Sequence, residues 1–205
     1  MRPINTKNNF LKNEGSFTII EMLIVVVMIS ILSAIILANY SAGQKELALQ
    51  RAANKLAQDI RRAQEMTMSA DDFGNPPPTP STGGYGIEFN SNNLTYYILF
   101  ADCNEDGIYT VTGSSPQCYG AKDFTGYPEK AEQIYFEKDI TISALFAIIS
   151  GAPVPTSPLR IIFIPPSPDA KFNNDPNIDE AVITLTSGSN QKNVRINKAG
   201  LIKIE

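Results

Sequence analysis

One acid, Glu21, interrupts an apolar run of 22 residues at positions 17–38, FTIIEMLIVVVMISILSAIILA. Thr18, Ser30 and Ser33 are the only other polar side chains in it. A carboxylate near the centre of a membrane-crossing helix costs about 2.5–3.5 kcal/mol on insertion scales. That cost falls if the acid meets a cation. A free α-amino group at Phe17, supplied by a neighbouring subunit, would neutralise Glu21 and set the axial register between subunits. The competing reading places Glu21 near the interface, solvated by head groups.

A second constellation is Asp102, Asn104 and Asp106, followed by Gly107. Oxygen ligands at loop positions one, three and five, then glycine, form the front half of a calcium loop. The bidentate glutamate of the helix-loop-helix form is missing, because Gly113 stands in its place. Asp123 is a candidate extra ligand in the same excursion. The flanks YYILFA and IYTVT read as strands, so the alternative is a hairpin turn rich in Asn and Asp. Calcium is the one cofactor these residues suggest. Cys103 and Cys118 enclose 16 residues. In an exported domain a disulfide between them would stabilise by about 3 kcal/mol on the loop-entropy model. Two unpaired thiols are the alternative.

Much chemistry is excluded. The chain of 205 residues contains no histidine, which removes Ser-His-Asp and Cys-His catalysis and His-ligated zinc. Two cysteines cannot make a four-thiolate site. Tyrosines, lysines and carboxylates are present, but no spacing gathers them, so no enzyme is expected. A net charge of −4 and a pI near 5.0 argue against broad nucleic-acid binding.

The elements that must position these residues follow from the pattern. Residues 1–16 are polar and carry Arg2, Lys7 and Lys12 against Glu14. A basic leader of this kind stays in the cytoplasm and leaves the C-terminal bulk outside. Residues 17–38 make a helix about 33 Å long, enough to cross a hydrocarbon core of about 30 Å. The run exceeds the apolar core of about 7–15 residues in a secretory signal peptide. An uncleaved signal anchor also fits. Residues 39–70 continue the helix in amphipathic form. Leu49, Ala52, Ala53, Leu56, Ile60, Ala63 and Thr67 recur at three- and four-residue spacings. Lys45, Arg51, Lys55, Arg61 and Arg62 form the opposite face, read as solvated in preference to touching DNA. Gly43 is the one plausible bend point.

Residues 71–84, DDFGNPPPTPSTGG, break the helix. Beyond them the pattern is β. Strands are expected at Tyr85–Phe89, Leu94–Phe100, Ile108–Val111, Gln133–Glu137, Ile140–Ile149, Leu159–Ile164, Ala181–Thr186, Lys192–Ile196 and Leu201–Ile204. Of these, segment 140–150 is ambiguous between strand and short helix. The expected fold class is α+β: a long N-terminal helix, membrane-crossing and then amphipathic, packed on an antiparallel β head at 71–205.

Phe17-Thr18-Ile19-Ile20-Glu21-Met22-Leu23, with the basic leader before it and the apolar helix after it, resembles the cleavage-and-methylation motif of type IV prepilins and type II secretion pseudopilins. The match covers residues 1 to about 40. Further on, LAQDIRRAQEMTMSA, GYGIEF, LRIIFIP and AVITLTSGSNQKNVRINKAGLIKIE resemble, in pattern and order, the H-type minor pseudopilins and T-type fimbrial minor pilins. The resemblance implies a pilin fold whose final strand pair is joined by a glycine turn, here Lys198-Ala199-Gly200. It implies leader removal by a membrane prepilin peptidase, methylation of the new amine at Phe17, and an assembly role for Glu21. The family has glycine immediately before the cut, whereas here Ser16 stands between Gly15 and Phe17. Cutting after Ser16 places Glu21 at mature position five, and cutting after Gly15 places it at six. The helix also lacks the proline of many major pilins. Implied partners are the peptidase, other pilin or pseudopilin subunits, an inner-membrane assembly platform and membrane lipid. The implied location is the inner membrane, with a single pass, then a pilus or pseudopilus. Two other readings stand beside this one: a signal-anchored external binding domain that is never processed, and a DNA-uptake minor pilin.

Overall fold

A computed structural model describes residues 17–69, 84–102, 106–109 and 130–205. The leader 1–16, the loop 70–83 and the segments 103–105 and 110–129 lie outside the described residues. The class is α+β. Among the described residues, one helix, α1 (Ile19–Met68), precedes ten strands. The chain divides into two compact units, Met1–Ala42 and Gly43–Glu205. The boundary falls at Gly43, the glycine singled out as a bend point.

In the second unit the strands are β1 (Tyr85–Phe89), β2 (Tyr96–Ala101), β3 (Lys130–Tyr135), β4 (Thr141–Ile149), β5 (Ala152–Pro155), β6 (Leu159–Phe163), β7 (Ala170–Phe172), β8 (Ile178–Ser187), β9 (Asn190–Asn197) and β10 (Ile202–Ile204). They form two antiparallel five-stranded sheets where one was expected. The first has the order β3-β2-β1-β6-β7 and the second β10-β9-β8-β4-β5. Backbone bonds stitch the two together: Ile142 N–H donates to Leu94 C=O at 2.8 Å, and Ala170 N–H to Lys198 C=O at 2.7 Å.

The apolar stripe of the helix supplies the common core. Leu49, Ala52, Ala53, Leu56, Ile60 and Ala63 are all buried. They share one cluster with Ile87, Leu99 and Ile161 of the first sheet and Leu145, Ile183, Leu185 and Val194 of the second. Burying each of Leu49, Leu56 and Ile60 stabilises by roughly 1.5–3 kcal/mol. Glu88 and Arg160, paired across β1 and β6, make a largely buried salt bridge at 2.6 Å. Burial pushes the Glu88 carboxyl up, and Arg160 pulls it back.

Several sequence expectations change. Segment 140–150 is strand β4, which pairs on both sides, with β5 and β8. Strands β5 and β7 were not foreseen. Prolines 153 and 155 hide β5, yet proline suits an edge strand. The turn before it, Ser150-Gly151, has positive φ at both residues (51° and 82°), the signature of a tight type I′ hairpin. Ile108 and Tyr109 are not in a strand. The Asp106 Oδ1 accepts the Ile108 N–H at 2.7 Å, occupying a donor that a ladder would need. The final pair β9–β10 is antiparallel and joined at Lys198-Ala199-Gly200, with Gly200 at φ 74°.

Thr67 ends the buried stripe and joins three elements. Its hydroxyl lies 2.9 Å from the Ala63 carbonyl and 3.3 Å from that of Phe163, and it accepts the Tyr85 N–H at 3.0 Å. Thr67→Val keeps the shape and removes these bonds among buried groups. The expected loss is about 1–3 kcal/mol, read by denaturant unfolding of the full chain in detergent. An unchanged midpoint would show that Thr67 is merely filler.

Candidate functional site

The first unit presents a helix start and an apolar helix. Phe17 lies outside α1 and is 72% exposed. Thr18 is the N-cap: its carbonyl accepts from Glu21 N–H at 3.1 Å and from Met22 N–H at 3.2 Å. Its hydroxyl also accepts the Glu21 N–H, at 3.3 Å. Glu21 therefore occupies the third helical position, and Thr18-Ile19-Ile20-Glu21 has the spacing of a capping box. A carboxylate in the first turn also complements the positive end of the helix dipole. Ser or Thr followed three residues later by Glu, ahead of an apolar run, is a legible signal. Sequence reasoning used Glu21 only for its charge and overlooked Thr18.

From Ile19 to Leu37 every residue is exposed, and mean hydropathy is 2.9. Nineteen residues span about 28 Å at a rise of about 1.5 Å each, close to a hydrocarbon core of about 30 Å. This helix is long and apolar enough to cross a membrane. Ser30 donates its hydroxyl to the Val26 carbonyl at 2.8 Å, so its donor is satisfied within the helix, as lipid requires. Gly15 and Ser16, the other residues of the processing motif, lie outside the described residues.

In the second unit the basic helix face is partly engaged. Arg51 donates to both Glu137 carboxylate oxygens, at 3.4 and 3.1 Å, and Arg62 donates to Glu132 at 2.7 Å. Glu46 lies 3.5 Å from Lys192 of β9. Asp59 accepts the Tyr97 hydroxyl, and Tyr97 is pushed well above the ordinary phenol range by burial and then by that carboxylate. Of the five cations considered for DNA, all exposed, Arg51 and Arg62 hold the carboxylates of Glu137 and Glu132.

The Asp102 loop is organised by backbone bonds. Asp102 is fully buried, and its Oδ2 accepts the Gly107 N–H at 2.9 Å. The Asp106 bond to the Ile108 N–H, two residues on, is an Asx turn. The Tyr109 ring then packs 5.5 Å from Phe100. Asn104, Asp123 and the Cys103–Cys118 pair lie outside the described residues. Among the described residues, no group of three or more Cys, Asp or Glu is placed to hold a metal.

None of the protein-family models, curated proteins or solved structures compared with the chain matches it.

The Arg51–Glu137 pair carries a pH dependence. The hydrogen bond from Arg51 holds the Glu137 carboxyl below its ordinary value of 4.5, burial opposes this, and the charges of Arg51 and Lys55 add to it. The folded value is depressed, so the pair's contribution is complete above about pH 4.5 and fades as pH falls through the lowered value. Glu137→Gln should melt earlier than the wild type at pH 7, and the gap should close on acidification. A gap independent of pH would remove the ionic explanation.

Proposed function

We propose that the chain is a minor pilin or pseudopilin subunit: a structural protein made as a precursor, processed by a prepilin peptidase and assembled through its N-terminal helix. The observation that carries this reading is the start of α1. Phe17 stands exposed just outside a capped helix, an acid lies in its first turn, and a fully exposed apolar span follows. A plain anchor accounts for Glu21 only as a first-turn acid at the positive end of the helix dipole. An assembly in which the new Phe17 amine meets Glu21 of the next subunit also gives its charge a partner, and their attraction offsets part of the desolvation cost of both. The two-sheet head closes on the amphipathic helix half, and its buried core begins at Leu49. The cut falls between Ser16 and Phe17, the inner membrane holds the precursor, and the mature subunit joins a pilus or pseudopilus.

Mass spectrometry of the chain expressed beside a prepilin peptidase tests the processing step. The expected product begins at Phe17 and carries a methyl group. An intact Met1 would instead support the unprocessed signal anchor. Glu21→Ala leaves the Glu21 backbone N–H bonded to Thr18, so cleavage should continue. Incorporation into fibres should fall at least tenfold, and incorporation at the wild-type level would remove Glu21 from the assembly mechanism.

A further inference from the structure

We propose that the cleft between β7 and the Lys198-Ala199 turn is a docking site for an extended segment of another polypeptide, which places one apolar residue in the cleft with basic residues beside it. The site lies where the two sheets meet, and it needs nothing from the apolar span or from processing. A cavity of about 690 Å³ opens there, within the range of about 300–1,000 Å³ that ligand sites occupy. Its apolar lining includes Ala170, Phe172 and Ile178, all of them buried residues. Ala199 also lines it and is exposed.

The main chain of β7 identifies the occupant as a peptide. Along an antiparallel strand, successive residues direct their N–H and C=O to opposite sides. Asn173 N–H donates to the Arg160 carbonyl of β6 at 3.1 Å. Ala170 N–H donates away from β6, to the Lys198 carbonyl at 2.7 Å. Ala170 and Phe172 therefore both face away from β6. The Phe172 carbonyl accepts the Asp175 N–H at 2.8 Å. Beyond these two bonds the margin offers the Ala170 carbonyl and the Phe172 N–H, one on each side of Lys171. A single residue of an extended chain meets both. It donates its N–H to the carbonyl and accepts the Phe172 N–H through its own C=O, as in a parallel bridge. Charge selects the flanking residues. Lys198 is held by Asp179 at 3.1 Å and by the Pro176 carbonyl at 2.9 Å. The other charges lining the cleft are Asp169 and Asp175 against Lys171, an acidic balance that favours cations on the incoming segment.

The test titrates the full isotope-labelled chain, in detergent micelles, with the peptide acetyl-Gly-Lys-Leu-Lys-Gly-amide and follows the Phe172 backbone amide by NMR. The signal should shift as this N–H gains a carbonyl acceptor, with a Kd at or below about 1 mM. A probe N-methylated at its leucine cannot donate to the Ala170 carbonyl, and a probe with alanine in place of leucine leaves the cleft unfilled. Each should bind about tenfold more weakly. Ala199→Trp fills the cleft from an exposed position, so the head keeps its fold and binding should fall by a similar factor. A Phe172 signal unmoved at about 5 mM probe would overturn the inference. Equal binding of the N-methylated probe would do the same, as would undiminished binding to Ala199→Trp. Processing and assembly do not enter this measurement, so its failure leaves the reading of the N-terminal helix standing.

Discussion

Both sheets close on the stripe that runs from Leu49 to Ala63. Its large residues fill space: Leu49, Leu56 and Ile60 have no exposed surface. Its small residues, Ala52, Ala53, Ala57 and Ala63, allow the strands to approach the helix closely. The first sheet brings Ile87 and Leu99 to this stripe and the second brings Ile183, Val194 and Ile196. Neither sheet could bury its inner face without the helix, since a sheet with one apolar face needs another layer to cover it. The polar attachments are secondary to that constraint. Arg51, Arg62 and Gln64 reach strand-side groups only because the stripe has already set which way they face.

The same helix element meets a different physical demand before Gly43. From Ile19 to Leu37 the side chains are almost all apolar and all exposed in this chain, a pattern suited to lipid or to other helices and unsuited to water. Thr18 and Ser30 show how such a segment manages polar groups: one hydroxyl caps the start and the other folds back onto a carbonyl. Glu21 is the exception whose side-chain charge needs something more.

The stripe, most strands and the apolar span were legible because each rests on periodicity, and periodicity is local. Thr67 was placed on the stripe by spacing alone, and it is buried as that spacing requires. The two-sheet division was not legible. It depends on β4 pairing with β8 and on β6 crossing to β1, contacts between residues far apart in sequence. Strand β7 is three residues long, too short to show alternation. The Ile108–Tyr109 reading failed because a side-chain oxygen from Asp106 outcompeted the ladder for a backbone donor. At the candidate site, Phe17 and Glu21 were legible as chemistry, while the cap required noticing that Thr18 and Glu21 are three apart.

Strand β5 closes one side of the second sheet, and all four of its residues are exposed. An open sheet margin invites a stray strand from another chain to dock and begin aggregation. Pro153 and Pro155 carry no N–H, so at alternate positions this margin offers carbonyls without donors. An incoming strand would find only half a ladder. At high local density a protein gains from a margin that cannot template its own polymerisation. The two residues that made β5 hard to recognise are those that keep its edge from sticking.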